Sequence, residues 1–256
     1  MTRHDFSDRC ALVTGATSGF GAAIARALAA GGARVVATGR REDRLERLAT
    51  EAGGLVTARV LDMTDLAAVD GFADTLPEGW RPDVLVNNAG LALGLGGAEA
   101  ASLAHWDRMI ATNVTGLVHL TRSLLPRLKG LPRADIVNMS SVAATYPYPG
   151  GNVYGATKAF VTQFSLGLRA DLVGSRCRVT SVEPGMADTE FSQVRFEGDR
   201  ARADQVYAGV EALSAADIAR VVTDVLALPP HMNVNRVEIM PVQQAFGAFA
   251  VDRAEG

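Results

Sequence analysis

The feature that most constrains the fold is a regular alternation of short apolar runs with longer helical runs along the whole chain. Such alternation is typical of βαβ units, which place parallel strands in one sheet. Right-handed crossovers then cover both faces of the sheet with helices. The pattern therefore predicts an α/β fold with a doubly wound, Rossmann-like sheet of about seven parallel strands. The predicted strands are 10–14, 34–38, 56–61, 83–87, 135–140, 177–182 and 236–241.

Helical patterns fill the intervals between these runs. They cover 20–31, 41–52, 64–76, 102–129, 152–173 and 214–227. Pro126 is expected to bend or end the longest of these helices. The stretch 185–212 is irregular and is expected to contain one short helical piece. No linker rich in Pro, Gly or Ser divides the 256 residues, so we expect a single domain spanning 1–256.

Charge and apolar patterning exclude several classes of partner. The formal net charge of −3 and the pI near 5.8 do not indicate the basic surface that nucleic-acid-binding proteins have, so nucleic acid is not expected as a partner. No apolar run is long enough to span a bilayer, and residues 1–8 show no secretory segment. Cys10 and Cys177 fall in predicted strands, which indicates buried thiols in a reducing, cytoplasmic environment. The four histidines have no metal-site spacing, so no metal is expected.

A glycine-rich turn joins the first predicted strand to the first predicted helix. Its sequence is Gly15-Ala16-Thr17-Ser18-Gly19-Phe20-Gly21, and a strand, such a turn and a helix in succession form a typical dinucleotide site. The glycines let the backbone approach a pyrophosphate, and the helix N-terminus offers it free amides. The spacing is G-x-x-x-G-x-G rather than G-x-G-x-x-G, so a tight turn without a ligand is the alternative.

The end of the second predicted strand indicates which dinucleotide binds. Enzymes that bind NAD usually carry an acid there, roughly 20 residues beyond the glycines, to hold the ribose 2′-hydroxyl. This chain instead has Arg40 and Arg41, and guanidinium groups suit a phosphate. The pair predicts NADP(H) rather than NAD(H), unless both arginines merely begin the charged helix that follows. The rest of that charged run, to Arg47, is interpreted as a solvated helix face.

Tyr154 and Lys158 carry the strongest chemical signal. Residues four apart share a helix face, so the phenol and the ammonium are expected to point into one space. A neighbouring ammonium lowers the pKa of a phenol, which can then exchange a proton with a developing alkoxide near neutral pH. Ser141, after a predicted strand, can hold the substrate oxygen at the same time. The alternative is an ordinary amphipathic helix, and the nucleotide site upstream argues against it.

Further motif residues follow the carboxyl ends of predicted strands, where ligands bind in such sheets. Asp62 and Met63 follow the third strand, the run 87–90 follows the fourth, and Pro184 and Gly185 follow the sixth. We therefore expect a single site at this edge of the sheet.

Together these motifs resemble the short-chain dehydrogenase/reductase family over nearly the whole chain. The resemblance rests on 14–21, 87–90, Asn113, Ser141, Tyr154 with Lys158, and Pro184 with Gly185. It implies that Tyr154 is the general acid or base and that Lys158 binds the nicotinamide ribose and lowers the pKa of Tyr154. It further implies that Ser141 orients the substrate oxygen and that Asn113 holds a water that passes protons to Lys158.

The same resemblance implies a set of cofactor contacts. Asp62 would lie near the adenine ring, whereas Asn87 and Asn88 would either contact the cofactor or stabilise the central sheet. The implied cofactor-binding residues are Gly15, Thr17, Ser18, Gly19, Phe20, Gly21, Arg40, Arg41, Asp62, Met63, Asn87, Asn88, Ala89, Gly90, Tyr154, Lys158, Pro184, Gly185, Met186 and Thr189.

A closer resemblance concerns the segments 146–160, 189–196 and 238–242. They are similar to segments of bacterial NADP-dependent 3-hydroxy acid dehydrogenases, and sulfoacetaldehyde reductases follow nearly the same pattern. The implied function is the NADP(H)-dependent interconversion of a short 3-hydroxy acid and its semialdehyde or keto form. The alternatives are sulfoacetaldehyde reduction, a broad ketoreductase and a non-catalytic NADP(H)-sensing protein. The family resemblance also implies a homotetramer, or at least a dimer.

Substrate recognition is expected to involve the stretch 185–212, which would form a lid ahead of an apolar C-terminal tail at 243–256. A small anionic substrate needs a cationic partner, and Arg195 in the lid offers a guanidinium group for it. A solvated surface arginine is the equally weighted alternative. The expected substrate-binding residues are Ser141, Tyr148, Tyr154 and Arg195.

Overall fold

The computed structural model describes residues 4–191 and 209–247. Its strands are β1 (Cys10–Val13), β2 (Arg34–Gly39), β3 (Val56–Val60), β4 (Val84–Asn87), β5 (Ala134–Met139), β6 (Cys177–Pro184), β7 (Ala187–Asp188), β8 (Leu213–Ser214) and β9 (Arg236–Ile239). Seven of them form one sheet in the order β3-β2-β1-β4-β5-β6-β9. All neighbours in this sheet are parallel, which confirms the predicted Rossmann-like fold.

Helices cover both faces of this sheet. They are α1 (Gly19–Ala30), α2 (Glu42–Glu51), α3 (Leu66–Gly71), α4 (Leu103–Ile110), α5 (Leu117–Gly130), α6 (Asn152–Asp171) and α7 (Ala215–Ala227). One core joins α1, α2 and α7 to the sheet, and a second core joins α3, α5 and α6 to its other face. Successive strand residues alternate between the cores: Val13 belongs to the first and Leu12 to the second.

The predicted long helix 102–129 is wrong in one respect. Its middle, Ala111–Gly116, is a π-helix between α4 and α5, and such segments are frequent at functional sites. Gly116 fits the segment tightly because a Cβ there would overlap the Met63 carbonyl oxygen. Pro126 does not end the helix either, since α5 continues to Gly130.

The predicted helix 64–76 is also shorter than expected. Asp65 caps α3 by accepting a hydrogen bond from the amide of Ala68, so the helix begins at Leu66. After Gly71 the backbone tightens into a 3₁₀ turn over Phe72–Thr75. The apolar side chains of that turn still face the second core.

A small second sheet flanks the carboxyl edge of the main one. In it, β7 pairs in parallel with β8, with Ala187 opposite Leu213 and Asp188 opposite Ser214. Ser214 and Asp217 then form a capping box that begins α7. Two-residue strands leave no periodic pattern, which is why the sequence predicted only an irregular stretch here.

Cys10 and Cys177 are buried free thiols, as expected. In residues 4–191 and 209–247, none of the helices is both long and apolar enough to cross a bilayer. The same residues contain no grouping of three His, Cys, Asp or Glu side chains that could bind a metal ion.

Candidate active site

A cleft of about 520 Å³ opens at the carboxyl edge of the main sheet. This volume is within the range of sites that hold small organic ligands. The predicted site residues that line it are Gly15, Ser18, Gly19, Phe20, Asn88, Ala89, Gly90, Ser141, Tyr148, Tyr154, Lys158, Pro184, Gly185, Met186 and Thr189. One edge of the sheet therefore gathers motifs from five separate parts of the chain.

The glycine turn packs against the loop that follows β4. A Cβ on Gly15, whose φ is +66°, would lie 2.9 Å from the Cα of Ala89, and a Cβ on Gly21 would overlap the Asn88 side chain. Asn88 Nδ2 donates to the Thr14 carbonyl at 2.8 Å, and Thr14 Oγ1 accepts from the amides of Asn88 and Ala89. These contacts require glycine at both positions and fix the floor of the cleft.

The free backbone amides at the N-terminus of α1 have no acidic side chain in the first turn to accept their hydrogen bonds. Ser18 makes no capping hydrogen bond with its side chain, and the first turn contains no acidic residue. Gly19 adopts a left-handed φ of +51°, and the nearest group above it is the Thr189 side chain, 3.5 Å from where a Cβ would lie. Free amides at a helix N-terminus attract a phosphate, so this geometry fits the pyrophosphate of a dinucleotide.

Arg41 lies directly beside this turn. Its Nη2 donates to Thr17 Oγ1 and to Ser18 Oγ, each at 2.8 Å, and its Nε also reaches Thr17 at 3.2 Å. Arg40 is exposed and contributes electrostatically to lowering the pKa of Asp62. Arg41 therefore places a guanidinium group next to the glycine turn, which suits a phosphate on the adenosine ribose.

The interpretation of the rest of the run 40–47 as a solvated face is wrong for Arg44. Its Nη1 donates to both carboxylate oxygens of Glu190, at 2.7 and 2.8 Å, and its side chain is one-third exposed. Arg47 does conform, because it is exposed and pairs only with Asp43 one turn earlier. Sequence periodicity could not distinguish the two, since Glu190 comes from a distant segment.

Tyr154 and Lys158 lie one turn apart in α6 at the floor of the cleft. Both are nearly buried, with 9% and 6% of their surface exposed. Lys158 Nζ lies 5.8 Å from the centroid of the Tyr154 ring and donates to the Met139 carbonyl at 2.8 Å. The structure thus places the ammonium beside the phenol, as a proton-transferring pair requires.

The charge of Lys158 is not neutralised by any acid within residues 4–191 and 209–247. No carboxylate of the described residues forms an ion pair with it, and burial lowers its pKa from 10.5 to about 8. An amine with that pKa is still mostly protonated at pH 7. It therefore presents a positive charge to the phenol and to any ribose bound in the cleft.

Ser141 and Asn113 take different positions around this pair. Ser141 lines the cleft, where its Oγ accepts from the Ala143 amide at 3.1 Å and begins a 3₁₀ turn over Val142–Ala144. Asn113 lies in the π-helix and is buried behind the cleft. Its side-chain amide exchanges two hydrogen bonds with the Leu91 backbone and donates a third to Thr157.

Several predicted cofactor residues do not line the cleft. Asn87 is buried in the sheet, where its Nδ2 donates to Thr121 and to Asn138. Of the two roles left open for Asn87, this position favours the structural one. Met63 belongs to the second hydrophobic core, and Asp62 accepts from the amide and hydroxyl of Thr64 in the loop after β3. Arg195 lies outside the described residues.

The structure adds lining residues that sequence reasoning missed. Phe191 places its ring 5.7 Å from that of Tyr154, and Tyr146 pairs with Phe246 at 4.6 Å. Tyr146 also donates to Glu238 through its hydroxyl at 3.1 Å. Glu190 completes the lining beside the glycine turn. The three added lining residues, Tyr146, Glu190 and Phe191, come from the segments after β5 and β7, and no local spacing connects the two segments.

Comparison with known proteins identifies the family. The model of the short chain dehydrogenase family matches residues 9–200. The chain is a short-chain dehydrogenase/reductase. It is 51% identical to an NADP-dependent 3-hydroxy acid dehydrogenase from Salmonella typhi over 95% of this chain and 99% of that one. It is equally identical to a sulfoacetaldehyde reductase from Chromohalobacter salexigens, over 95% and 98% of the two chains.

A solved short-chain dehydrogenase also has nearly the same backbone. The closed form of a serine dehydrogenase complexed with NADP+ superimposes with a TM-score of 0.93 at 48% identity. The match covers 95% of this chain and 99% of that one. The two chains therefore share one fold over nearly their whole length.

Proposed function

We propose that this protein is an NADP(H)-dependent oxidoreductase that interconverts a short 3-hydroxy acid and its semialdehyde or keto form. The observation that carries the proposal is the pairing of Lys158 with Tyr154 at the floor of a cleft whose other wall is a glycine turn suited to phosphate. Neither half would suffice alone, because glycine turns and Tyr–Lys spacings both occur without catalysis.

The residues around the glycine turn fit NADP(H). The free amides of α1 would receive the pyrophosphate, while Arg41 with Thr17, helped by Arg40, would receive the 2′-phosphate. The other predicted cofactor residues on the cleft would border the nicotinamide half. When bound, the nicotinamide supplies or accepts the hydride. The NADP+ complex of the related serine dehydrogenase supports this choice of cofactor.

The side chains of α6 and β5 would handle the proton. Tyr154 would donate its phenolic proton to the carbonyl oxygen in reduction and remove the hydroxyl proton in oxidation. Lys158, held by the Met139 carbonyl, would stabilise the phenolate and bind the ribose. Ser141 would hold the substrate oxygen, and the predicted water beside Asn113 would be bound by its backbone, because its side chain is already engaged.

The short acidic substrate is proposed from the relatives and from the residues expected to bind it. Two relatives at 51% identity are named for a 3-hydroxy acid and for sulfoacetaldehyde, and both compounds carry an anionic group. Tyr148 lines the mouth of the cleft, and Arg195 remains the predicted anion partner. Sulfoacetaldehyde reduction is therefore the second candidate, and a broad ketoreductase would need no such anion.

A substrate panel tests the proposal. Purified protein is mixed with NADPH and malonic semialdehyde, sulfoacetaldehyde or propanal, and with NADP+ and L-serine or L-allo-threonine, while absorbance at the NADPH band is followed. We expect the highest kcat/KM with malonic semialdehyde and measurable oxidation of the hydroxy acids. A preference for propanal would favour the broad ketoreductase, and turnover of none of these substrates would contradict the proposal.

The anion partner has its own test. Arg195→Ala is expected to raise KM for malonic semialdehyde about 10-fold or more and to change KM for propanal little, because only the first substrate loses a charge-assisted hydrogen bond. Arg202→Ala is the matched control, since it removes an arginine from the same stretch. Equal changes for the acidic and neutral substrates would remove Arg195 from the substrate site.

The proposed assembly is a homotetramer in the cytoplasm. Leu103, Ile110 and Phe160 are exposed apolar side chains on α4 and α6, and the Phe160 ring stacks on Phe164. Such patches are uncommon on monomers. Light scattering coupled to size exclusion would give the mass, and a monomer at micromolar concentration would contradict the proposal.

A further inference from the structure

The corner of the cleft that suits a 2′-phosphate also contains an acid. The sequence has no Asp or Glu at the end of β2, yet the fold places the Glu190 carboxylate there from a segment 149 residues away from Arg41. Glu190 Oε2 accepts from Arg41 Nη1 at 3.1 Å, and both carboxylate oxygens accept from Arg44 Nη1.

The position of Glu190 is fixed by its neighbours on both sides. Thr189 lies over Gly19, and the Phe191 ring faces Tyr154. The backbone of these residues thus bridges the glycine turn and the catalytic tyrosine. The Glu190 side chain is 39% exposed and lines the cleft, so it acts on a ligand through a partly screened field.

The Glu190 carboxylate shares one donor, Arg41, with the predicted phosphate site and takes its second donor, Arg44, from the next turn of the chain. Burial alone would raise its pKa, but the hydrogen bonds from Arg44 and Arg41 outweigh burial and hold that pKa below its usual value. Glu190 is therefore an anion at neutral pH. Arg41 already donates to Thr17 and Ser18 through Nε and Nη2, so its remaining edge is the one that Glu190 occupies.

We propose that Glu190 is a cofactor-specificity residue: its carboxylate competes with the 2′-phosphate for Arg41 and Arg44 and so weakens the preference for NADP(H) over NAD(H). The inference rests on the proposed function for the identity of the cofactor. Two anions that share the same guanidinium groups repel each other, so the loss falls on the ligand that carries the phosphate. NAD(H) has a hydroxyl at that position and is not repelled.

Glu190→Gln isolates the charge because glutamine keeps nearly the same shape and can still accept a hydrogen bond from arginine. Dissociation constants of NADPH, NADH, 2′-AMP and 5′-AMP are measured by calorimetry at low salt. We expect the variant to bind NADPH and 2′-AMP about three- to tenfold more tightly, the scale of a half-exposed charge pair. NADH and 5′-AMP should change by less than about twofold on the same scale.

Two further variants sharpen the test. Glu51→Gln removes an exposed carboxylate that pairs with Arg26 away from the cleft, so it should leave all four constants unchanged. The double variant Arg44→Ala with Glu190→Gln should lose most of the increase in NADPH and 2′-AMP affinity that Glu190→Gln gives alone. The reason is that the guanidinium group of Arg44, which Glu190→Gln frees, is then absent.

The outcomes distinguish a failure of the Glu190 competition from a failure of the proposed cofactor. Weaker binding of NADPH by Glu190→Gln, or equal gains for NADPH and NADH, would overturn the competition. Wild-type protein that binds neither NADPH nor 2′-AMP would overturn the proposed cofactor, and the inference with it.

Discussion

At the amino end of the sheet, Arg9, Asp83, Asp135 and Arg178 pair with one another, whereas at the carboxyl end Lys158 has no carboxylate partner among the described residues. Asp135 accepts from Arg9 Nη2 at 2.7 Å and from Arg178 Nε at 2.6 Å, and all three side chains are almost fully buried. The amino-end cluster and Lys158 thus bury charge under opposite conditions, whereas Glu183, also buried near the carboxyl end, is paired with Arg236.

From this difference we infer that the amino-end cluster stabilises the fold and that the buried charge of Lys158 serves the candidate site. A buried charge without a partner is costly, so it persists where a ligand or a reaction requires it. The amino-end cluster ties the start of β5 and β6 to the segments before β1 and β4. Lys158 forms no ion pair of this kind within the described residues. Its buried charge can instead stabilise a bound dinucleotide and the Tyr154 phenolate.

Asp135→Asn breaks the amino-end cluster and should have the largest effect on stability. It leaves Arg9 and Arg178 buried without their common acid, and such losses are typically about 3–5 kcal/mol. Urea unfolding at fixed protein concentration measures the change. The kcat of the folded variant should stay within about twofold of wild type, because the site lies at the opposite end of the strands.

Asp83→Asn is the matched control at that end. Among residues 4–191 and 209–247, Asp83 forms an ion pair with Arg9 alone, and it is one-fifth exposed, so the loss of stability should be clearly smaller. If both variants lost the same stability, or if Asp135→Asn lost turnover while folded, the division between the two ends would be wrong.

Replacing Arg40 and Arg41 together by alanine tests the site at the carboxyl end of the sheet through its affinity for NADPH and NADH. NADPH affinity should fall about 10- to 100-fold, while NADH affinity changes little, because only NADPH offers a phosphate to the guanidinium groups. Fluorescence titration with each nucleotide measures both constants. Arg47→Ala removes a cation from α2, the helix that follows the two arginines, without touching the cleft, and an equally large effect there would mean that general charge decides the affinity.

Lys158→Met should give the smallest effect, a change in how the free energy of unfolding depends on pH. The folded wild-type protein holds the Lys158 pKa at about 8, against 10.5 for the exposed group, so the unfolded chain binds more protons between these values. Wild-type stability should therefore rise with pH in that window, and it should gain about 1 kcal/mol relative to Lys158→Met between pH 8 and 9. Urea unfolding at pH 7, 8 and 9 measures this gain, and a constant difference would show that burial does not perturb the amine.

The repetitive parts of the fold could be predicted from the sequence. Apolar runs and glycine turns are local signals, so the seven strands and the glycine-turn motif could be placed within a few residues. The π-helix at Ala111–Gly116 could not, because a slip of one hydrogen bond leaves the apolar pattern unchanged. The pairing of β7 with β8 could not either, since each strand has two residues.

The candidate site divides in the same way. Tyr154, Lys158 and Gly15 belong to short motifs, whereas Glu190 reaches Arg44 across 146 residues of sequence. Contacts of that kind follow from packing and have no local spacing to reveal them. For that reason the local pattern predicts a solvated Arg44 and indicates no role for Glu190.

Tyr154→Phe tests the central claim most directly, with NADPH titration and single-turnover reduction of malonic semialdehyde measured on the same sample. Tyr146→Phe is the matched control, because it removes a hydroxyl from the same cleft that bonds to Glu238. We predict that Tyr154→Phe binds NADPH within about twofold of wild type and reduces the aldehyde about 10²- to 10⁴-fold more slowly, whereas Tyr146→Phe stays within about 10-fold. Reduction by Tyr154→Phe at the wild-type rate would contradict the account, because the proton would then come from another group.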